Sequence, residues 1–389
     1  MKEQLLIVTH HLTVGGVQKT LIPALTAIDY DRYDVTLYLR KNRIDLLPYI
    51  DKRVRVVINQ DYHHYYRKPA CIVLQARISL CRLLKKEQKA AQLEQKLSEK
   101  ICLYGMQYEH KTYFANTSYD KAIAYVHGYA AQFVSDYVTA QQKYVFFHSS
   151  TDELRDVHLK VIHNFHKVVA LHQMQKELIG QWYPQIADRI VLVENYVDGG
   201  MVRSQAQEYG VEKPIDKTVL CTCGRMTPVK GFDLAVKSAK ILKENGVDFL
   251  WYFVGDGPQR KEIETLIAQC DLQNEIRLVG MQTNPYPYMN ACDLYVQPSY
   301  EEAMPVTILE AKKLNKPIIT TATVGGKKLV ADGINGLVCD IAEKSLADKI
   351  LFLANNEIVY RNMVSVLENT DGTEDFEKYK KQWRELLEG

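Results

Sequence analysis

Short apolar runs alternate with longer amphipathic segments along almost the whole chain, and this alternation is the feature that most constrains its fold. A continuous apolar run such as Leu5–Thr9 is typical of a parallel strand that is covered on both faces. Parallel strands need long crossover connections, which helices usually supply. The alternation therefore predicts an α/β fold with doubly wound parallel sheets.

The alternation occurs twice, once on each side of a stretch of little periodicity at residues 195–217, which is interpreted as a linker. The first series predicts strands at Leu5–Thr9, Val35–Leu39, Val54–Ile58, Ala122–Val126, Tyr144–Phe147, Lys167–Leu171 and Arg189–Val193. The second predicts strands at Val219–Cys223, Phe249–Val254, Ile276–Val279, Leu294–Gln297, Pro317–Thr321 and Gly336–Cys339. One long polar-rich helix is predicted at residues 72–103.

The length of 389 residues and the two series favour two domains, residues 1–200 and 201–370, followed by a charged helix at 371–389 that packs toward the N-terminal domain. The charge differs between the halves. The first 200 residues hold 26 of the 49 basic residues, 20 of the 47 acidic residues and all 11 histidines. This imbalance is too mild to predict a nucleic-acid partner, which would need a strongly basic stripe.

Several classes of protein are excluded by composition. The sequence has no run of about 18 apolar residues, the length that a membrane span needs. The apolar run Leu5–Val8 is too short for the core of a signal peptide. The eight cysteines form no C-x-x-C pair, so neither a disulfide framework nor a zinc site is expected. Together these features predict a cytoplasmic protein with reduced thiols.

Loops that follow strands are the expected ligand sites, because helix N-termini present free N–H groups at that edge of a parallel sheet. Gly15-Gly16 lets the backbone approach a phosphate, although a plain tight turn explains it equally well. Arg225 and Lys230 stand five residues apart in a glycine-bracketed loop. They suit a diphosphate, Arg as a fork and Lys as a point charge, or they are two solvated cations.

Two acids follow another predicted strand. Glu302 lies in a loop, and Glu310 lies eight residues later within a predicted helix. Carboxylates make strong charge-assisted hydrogen bonds with hydroxyl groups, which suits ribose and sugar rings. Taken alone, the pair is explained as well by favourable charge at a helix N-terminus and a surface acid.

Read in order, these motifs resemble the retaining nucleotide-sugar glycosyltransferases of family four, also described as glycosyl transferases group 1. The motifs that carry the resemblance are Gly15-Gly16, the G-R-x4-K-G of 224–231, the V-G-D-G-P of 254–258, the P-S-x-x-E and L-E-A of 298–311, Gly325-Gly326 and the D-G-I-N-G of 332–336. Two positions depart from the family pattern: Ala303 stands where Gly is usual, and Leu329 where Glu is usual.

The resemblance implies the GT-B fold, with two Rossmann-like domains facing each other across a cleft. It assigns the acceptor mainly to the first domain and the donor, a nucleoside diphosphate sugar, mainly to the second. The implied catalytic residues are His148, Glu302, Arg225 and Lys230. The implied donor-binding residues are Gly15, Gly16, Arg225, Lys230, Glu302, Ala303, Met304, Pro305, Val306 and Glu310. Among these, Arg225 and Lys230 hold the diphosphate, and Glu310 takes the ribose hydroxyls.

The expected function is retaining transfer of a sugar, most often from a UDP donor in this family, to a hydroxyl acceptor during synthesis of a cell-surface polysaccharide or glycoconjugate. GDP and ADP donors stay open. No metal or other cofactor is expected, because the two cations replace the ion and the D-x-D at Asp29–Asp31 precedes a strand, at the wrong edge of the sheet. A nucleotide-sugar epimerase of the same fold and an inactive nucleotide-sugar-binding partner subunit are the alternatives.

A basic segment lies in the first half. Residues 67–100 carry nine basic residues against three acids, with aliphatic residues between them. Such a segment, in particular residues 77–100, can dock on an anionic membrane surface and bring the enzyme to a lipid-linked acceptor on the inner face. A solvated helix that packs one face on its own sheet explains it about as well. A glycan is the other acceptor that the resemblance implies.

Overall fold

The computed structural model of the chain describes residues 1–13, 15–60, 68–148, 161–370 and 373–389. Its strands form two parallel sheets. The first contains β1 (Glu3–Thr9), β2 (Tyr33–Leu39), β3 (Arg55–Ile58), β4 (Tyr119–Ala124), β5 (Ala140–Phe146), β6 (Lys167–Ala170) and β7 (Ile190–Leu192), in the order β3-β2-β1-β4-β5-β6-β7. The second contains β8 (Thr218–Cys223), β9 (Phe249–Val254), β10 (Ile276–Gly280), β11 (Leu294–Gln297), β12 (Ile318–Thr321) and β13 (Gly336–Cys339), in the order β10-β9-β8-β11-β12-β13.

The described helices connect these strands. They are α1 (Gly16–Ala27), α2 (Pro69–Leu83), α3 (Glu87–Glu109), α4 (Tyr129–Tyr137), α5 (Gln173–Trp182), α6 (Gly199–Gln205), α7 (Phe232–Glu244), α8 (Arg260–Gln269), α9 (Tyr286–Ala291), α10 (Val306–Lys313), α11 (Val324–Leu329), α12 (Glu343–Asn355), α13 (Glu357–Glu368) and α14 (Thr373–Glu388). None of the described helices combines the length and the apolar character that a membrane span requires.

Strands with continuous apolar runs, such as β8, bury side chains on both faces of their sheet, as those runs predicted. In β8, Leu220 belongs to a buried cluster with Phe232 and Val236 of α7. Its neighbour Cys221 belongs to a second cluster, on the other face, with Ile308 of α10. Two apolar faces explain why these strands have no polar alternation. The predicted α/β class with two Rossmann-like sheets is confirmed.

The chain divides into two compact units that do not follow the sequence order throughout. Unit 1 consists of residues 1–13, 24–194 and 381–389, and unit 2 of residues 14–23 and 195–380. The first turns of α1 therefore group with the second sheet. Within unit 1, the buried ring of Trp383 in α14 stacks on Phe146 of β5, with ring centroids 5.4 Å apart.

The prediction of a single helix at residues 72–103 is wrong. The segment forms two helices, α2 and α3, joined by a turn in which Lys85 has a φ of +54°. The two helices bury Ile78 of α2 and Leu93 of α3 in a common aliphatic cluster. In a hairpin one face of each helix packs on the other, which one continuous helix could not do. Arg67, which contributed to the predicted basic segment, lies outside the described residues.

The predicted linker at residues 195–217 is also not free of secondary structure, since it contains α6. The carboxylate of Asp198 accepts hydrogen bonds from the amides of Gly200 and Met201, at 2.8 and 3.1 Å, and so caps this helix. Gly199 and Gly200 form the first turn of this capped helix.

Candidate functional site

The loop that follows β8 packs closely on the segment that follows β11. Gly231 has a φ of +66°, and a Cβ there would lie 2.0 Å from the carbonyl oxygen of Pro298, so glycine is required. Beside this contact, the amide of Tyr300 donates a hydrogen bond of 2.8 Å to the carbonyl of Val229. The two loops are therefore joined at the carboxyl edge of the second sheet, where α/β folds bind ligands.

This packing brings Lys230 and Glu302 together. Lys230 Nζ donates to Glu302 Oε1 at 2.5 Å, and the two side chains are 29% and 10% exposed. The same oxygen accepts from Ser299 Oγ at 3.0 Å and from Gln297 Nε2 at 3.2 Å. An ammonium group has three N–H donors, so a lysine held by one carboxylate oxygen can still donate to an anionic ligand.

Gln297 uses both ends of its side-chain amide to hold this arrangement. It is only 2% exposed. Its Nε2 donates to Ser299 Oγ at 2.8 Å as well as to Glu302, and its Oε1 accepts from Tyr295 Oη at 2.9 Å and from Thr307 Oγ1 at 2.8 Å. Since Thr307 lies in the first turn of α10, Gln297 ties the carboxylate of Glu302 to the start of that helix.

Arg225 lies at the exposed side of the loop after β8. The loop is anchored by the fully buried Met226 and by a hydrogen bond of 3.0 Å from the amide of Gly224 to the carbonyl of Val254. Arg225 itself is exposed and makes no ion pair with any residue that the structure describes. Its guanidinium is thus available to an anionic ligand. The helix that begins just after this loop, α7, has no side-chain cap on its N-terminal N–H groups.

Glu310 is buried in α10 with one oxygen paired and the other not. Its Oε1 accepts from Lys19 Nζ and from Tyr286 Oη, both at 2.9 Å. Its Oε2 is buried and accepts no hydrogen bond from the residues that the structure describes. Lys19 lies in the first turn of α1, where its amide donates to the carbonyl of Gly15 at 3.0 Å. A buried carboxylate oxygen without a donor favours a ligand that supplies one.

Two glycine motifs that are distant in the sequence, Gly15-Gly16 and Gly325-Gly326, lie against the start of α10. A Cβ on Gly16 would lie 3.9 Å from Val306 Cγ2, so the two residues are neighbours. A Cβ on Gly325 would lie 2.5 Å from Pro305 Cδ and 2.9 Å from the carbonyl carbon of Ala303. Unit 2 thus gathers the predicted donor-binding residues on adjoining loops and helix ends: Gly15, Gly16, Arg225, Lys230, Glu302, Ala303, Met304, Pro305, Val306 and Glu310.

His148 belongs to unit 1, where it follows the carboxyl end of β5. Its ring packs against those of Tyr125 and Phe146, with centroid distances of 4.9 and 6.1 Å. Burial, together with the nearby His127, lowers the pKa of His148 to about 3. Its Nε2 is buried and has no hydrogen-bond partner among the described residues. At neutral pH this imidazole is therefore uncharged, and it can exchange hydrogen bonds with a ligand but cannot act as a cation.

Sequence reasoning missed Lys19, Tyr286 and the hydrogen-bonding role of Gln297. Lys19 and Glu310 are 291 residues apart, and no spacing rule connects them. The only signal for Gln297 was a polar residue at the end of an otherwise apolar strand. In the described part of the chain, no group of three His, Cys, Asp or Glu side chains is arranged to hold a metal ion.

Residues 205–369 match the family described as glycosyl transferases group 1. The chain is 25% identical to an uncharacterized glycosyltransferase of Methanocaldococcus jannaschii, over 57% of this chain and 63% of that protein. It is 28% identical to the lipopolysaccharide core biosynthesis glycosyltransferase LpsE of Rhizobium meliloti, over 41% of this chain and 48% of that protein. The chain thus spans less than two thirds of the length of these curated relatives.

Solved structures resemble the chain over its full length. The crystal structure of HepE from Anabaena in complex with UDP-glucose superposes with a TM-score of 0.72, at 18% identity and with 99% of both chains covered. TarM of S. aureus, in a complex that includes UDP, superposes with a TM-score of 0.70, at 15% identity and with 100% of both chains covered. At these identities the likeness shows the fold alone. The chain therefore has the GT-B fold, and the part of it that matches the glycosyl transferases group 1 family is residues 205–369.

Proposed function

We propose that the protein is a retaining glycosyltransferase that transfers a sugar from a nucleoside diphosphate sugar, with UDP as the nucleotide, to a hydroxyl acceptor. The observation that carries the proposal is the site of unit 2, where a lysine–glutamate pair, an exposed arginine and a buried glutamate with one oxygen hydrogen-bonded lie at one edge of the sheet. LpsE acts in lipopolysaccharide core synthesis and HepE binds UDP-glucose. These names support a role in cell-surface polysaccharide or glycoconjugate synthesis.

The charges of unit 2 fit a nucleoside diphosphate. Arg225 is exposed and unpaired among the described residues, and Lys230 is paired on one side only. Both can donate to diphosphate oxygens, as can the uncapped N–H groups at the starts of α7 and α10. The free Oε2 of Glu310 can accept from a ribose hydroxyl. The diphosphate and the ribose hydroxyls of the donor thus each have a matching group in the described site.

Transition-state charge would be stabilised by the same groups. As the bond between the sugar and the diphosphate breaks, negative charge grows on the leaving phosphate, and Arg225, Lys230 and the two helix N-termini lie where they can meet it. These fixed positive groups support transfer that does not depend on a divalent metal. In this proposal Glu302, held by three donors, meets the sugar of the donor. Front-face displacement with retention of configuration is the mechanism that the family resemblance implies.

The test is calorimetric binding of UDP, GDP and ADP to the purified chain, with two variants. UDP is expected to bind most tightly. Glu310→Gln keeps the shape of the side chain and is expected to weaken UDP binding by roughly 10- to 100-fold, because it weakens a charge-assisted hydrogen bond. Glu301→Gln is the matched control, since Glu301 is exposed. Millimolar or weaker binding of every nucleotide, or equal affinities in the two variants, would contradict the proposal.

We further propose that α2 and the turn after it dock on the inner face of an anionic membrane, to reach a lipid-linked acceptor. The face of α2 opposite its buried side is aliphatic: Ile72, Leu80 and Leu83 are 53%, 55% and 79% exposed. The turn that follows adds Lys85 and Lys86, both exposed. An exposed aliphatic face beside basic residues is typical of interfacial helices.

Flotation with vesicles of phosphatidylcholine and phosphatidylglycerol at low salt tests this surface. Each basic residue near an anionic leaflet contributes about 1 kcal/mol, so the double change Lys85→Gln and Lys86→Gln should weaken binding by about 30-fold. The double change Lys237→Gln and Lys240→Gln removes the same charge from α7 and should have no effect. A wild-type chain that stays unbound at low salt would favour a soluble acceptor, such as a free glycan.

A further inference from the structure

Lys19 contacts the donor site although it lies far from it in the sequence. Its Nζ is 2.9 Å from Glu310 Oε1, and the two side chains are only 11% and 2% exposed. A lysine placed so deeply is uncommon unless it is paired. Removing either partner of such a pair would leave a buried charge without compensation.

Tyr286 completes the pairing on the same oxygen. Its hydroxyl donates to Glu310 Oε1 at 2.9 Å, and Lys19 Nζ lies 4.4 Å from the centroid of its ring, a cation–π distance. Lys19 and Tyr286 thus both donate to Oε1, and the ring of Tyr286 stabilises the charge of Lys19. The carboxylate is held at one oxygen by two groups that also contact each other.

The other oxygen of Glu310 is left free. Oε2 is buried and accepts no hydrogen bond from any described residue. Since a carboxylate oxygen has about two lone-pair sites, Oε1 is already fully used and any further donor must approach Oε2. Among the described residues, the arrangement therefore leaves Oε2 as the oxygen of Glu310 that can accept a hydrogen bond from a ligand.

We propose that Lys19 is a positioning residue of the donor site, which fixes and neutralises Glu310 at Oε1 so that Oε2 alone accepts the ribose hydroxyls of the donor. The inference rests on the proposed function. It adds that Lys19 acts on the hydroxyls of the ribose and not on the diphosphate. The discrimination between ribose and deoxyribose should therefore depend on a lysine of the first helix.

A binding cycle with two ligands isolates this effect. Calorimetry is run with UDP and with 2′,3′-dideoxy-UDP, which lacks both ribose hydroxyls, on the wild type and on Lys19→Met. The wild type is expected to bind UDP roughly 10- to 100-fold more tightly than the dideoxy form. In Lys19→Met the affinity for UDP should fall by about tenfold while that for the dideoxy form changes by less than about threefold, because only the hydroxyl contacts depend on Lys19.

Two further variants exclude a purely structural role. Lys19→Arg keeps the charge and should restore most of the discrimination, whereas Lys240→Met, an exposed lysine on α7, should leave both affinities unchanged. If Lys19→Met does not fold, Tyr286→Phe removes the second donor to Oε1, with Tyr288→Phe on the same helix as its control. Tyr286→Phe is expected to lower the ratio between the affinities for UDP and the dideoxy form, and Tyr288→Phe is expected to leave that ratio unchanged.

The outcomes separate this inference from the proposed function. If Lys19→Met weakens UDP and dideoxy-UDP by the same factor, Lys19 acts on the phosphates or on the fold, and the inference is wrong. If the wild type binds UDP but does not distinguish the dideoxy form, the inference is wrong and nucleotide binding stands. If the wild type binds no nucleoside diphosphate, the proposed function itself fails.

Discussion

Gln297→Met removes an amide that makes four hydrogen bonds and replaces it with a side chain of similar volume. The change leaves Glu302 Oε1 with two donors, from Lys230 and Ser299, where it had three. It also removes the acceptor used by the hydroxyls of Tyr295 and Thr307. The variant therefore loosens Glu302 and leaves the contacts of Arg225 and Glu310 unchanged.

The magnitudes follow from those bonds. An unpaired buried polar group costs about 1–3 kcal/mol. The hydroxyl of Tyr295 keeps a second acceptor, the carbonyl of Cys223 at 3.4 Å, and Thr307 is only half-buried. We therefore expect the free energy of unfolding to fall by about 2–3 kcal/mol in total. The lost charge-assisted bond to Glu302 should lower kcat by roughly 10- to 100-fold, since each 1.4 kcal/mol is a factor of ten.

Three measurements test this variant together: release of the nucleotide from a nucleotide sugar, calorimetric binding of UDP, and unfolding in urea. The Kd for UDP should stay within about threefold of the wild type, because Arg225 and Glu310 are unchanged. Gln282→Met is the matched control, since Gln282 makes a single bond to the carbonyl of Val279. If kcat is unchanged while stability falls, Gln297 is merely structural and the reasoning is refuted.

Three other changes have expected outcomes. Arg225→Ala and Lys230→Ala should each lower turnover by roughly 30- to 1,000-fold, the effect of losing about 2–4 kcal/mol of transition-state stabilisation; near-normal rates in both variants would remove the diphosphate assignment. Burial lowers the pKa of His148 and of His10 to about 3, so the unfolded chain binds more protons below pH 6.5 and stability must fall as the pH falls from 6.5 toward 3. At pH 5 each histidine should lower the free energy of unfolding by about 2 kcal/mol relative to pH 7. His148→Gln should therefore reduce the pH dependence of the free energy of unfolding measured in urea. An unchanged pH dependence would contradict the lowered pKa of His148. Gly231→Ala places a Cβ against backbone at a positive φ and should destabilise unit 2 and abolish turnover, which thermal unfolding and the nucleotide-release assay would check.

Much of the fold could be predicted from the sequence because buried parallel strands need continuous apolar runs. Strands such as β8 and β9 match their predicted positions within a residue. The start of β5 could not be predicted, because Gln141, Gln142 and Lys143 are polar and the strand pairs through its backbone with β4 and β6. The α2–α3 hairpin was missed for a related reason, since the turn at Lys85 carries no glycine or proline.

The candidate site likewise contains residues that could be predicted from the sequence and contacts that could not. Residues that lie in glycine-bracketed loops after strands, such as Arg225 and Lys230, could be predicted as candidates because chain order alone brings them to one edge of a sheet. Contacts between distant segments could not be predicted. Only the folded chain places Lys19 on Glu310, and only the folded chain shows that Gln297 holds Glu302. The family resemblance names the residues that are expected to meet the ligand, whereas the residues that orient them depend on this chain's own packing.

The proposal of retaining, metal-independent transfer is best tested by proton NMR of donor hydrolysis by the enzyme, without acceptor and with EDTA present. A panel of UDP-α-linked sugars is incubated with the enzyme, and the anomer of the free sugar that appears first is recorded against Lys230→Ala as the blank. The wild-type enzyme is expected to release at least one sugar first as the α-anomer in the presence of the chelator. Lys230→Ala is expected to release none. First release of the β-anomer, conversion to an epimer, or turnover that appears only when a divalent metal is restored would contradict the proposal.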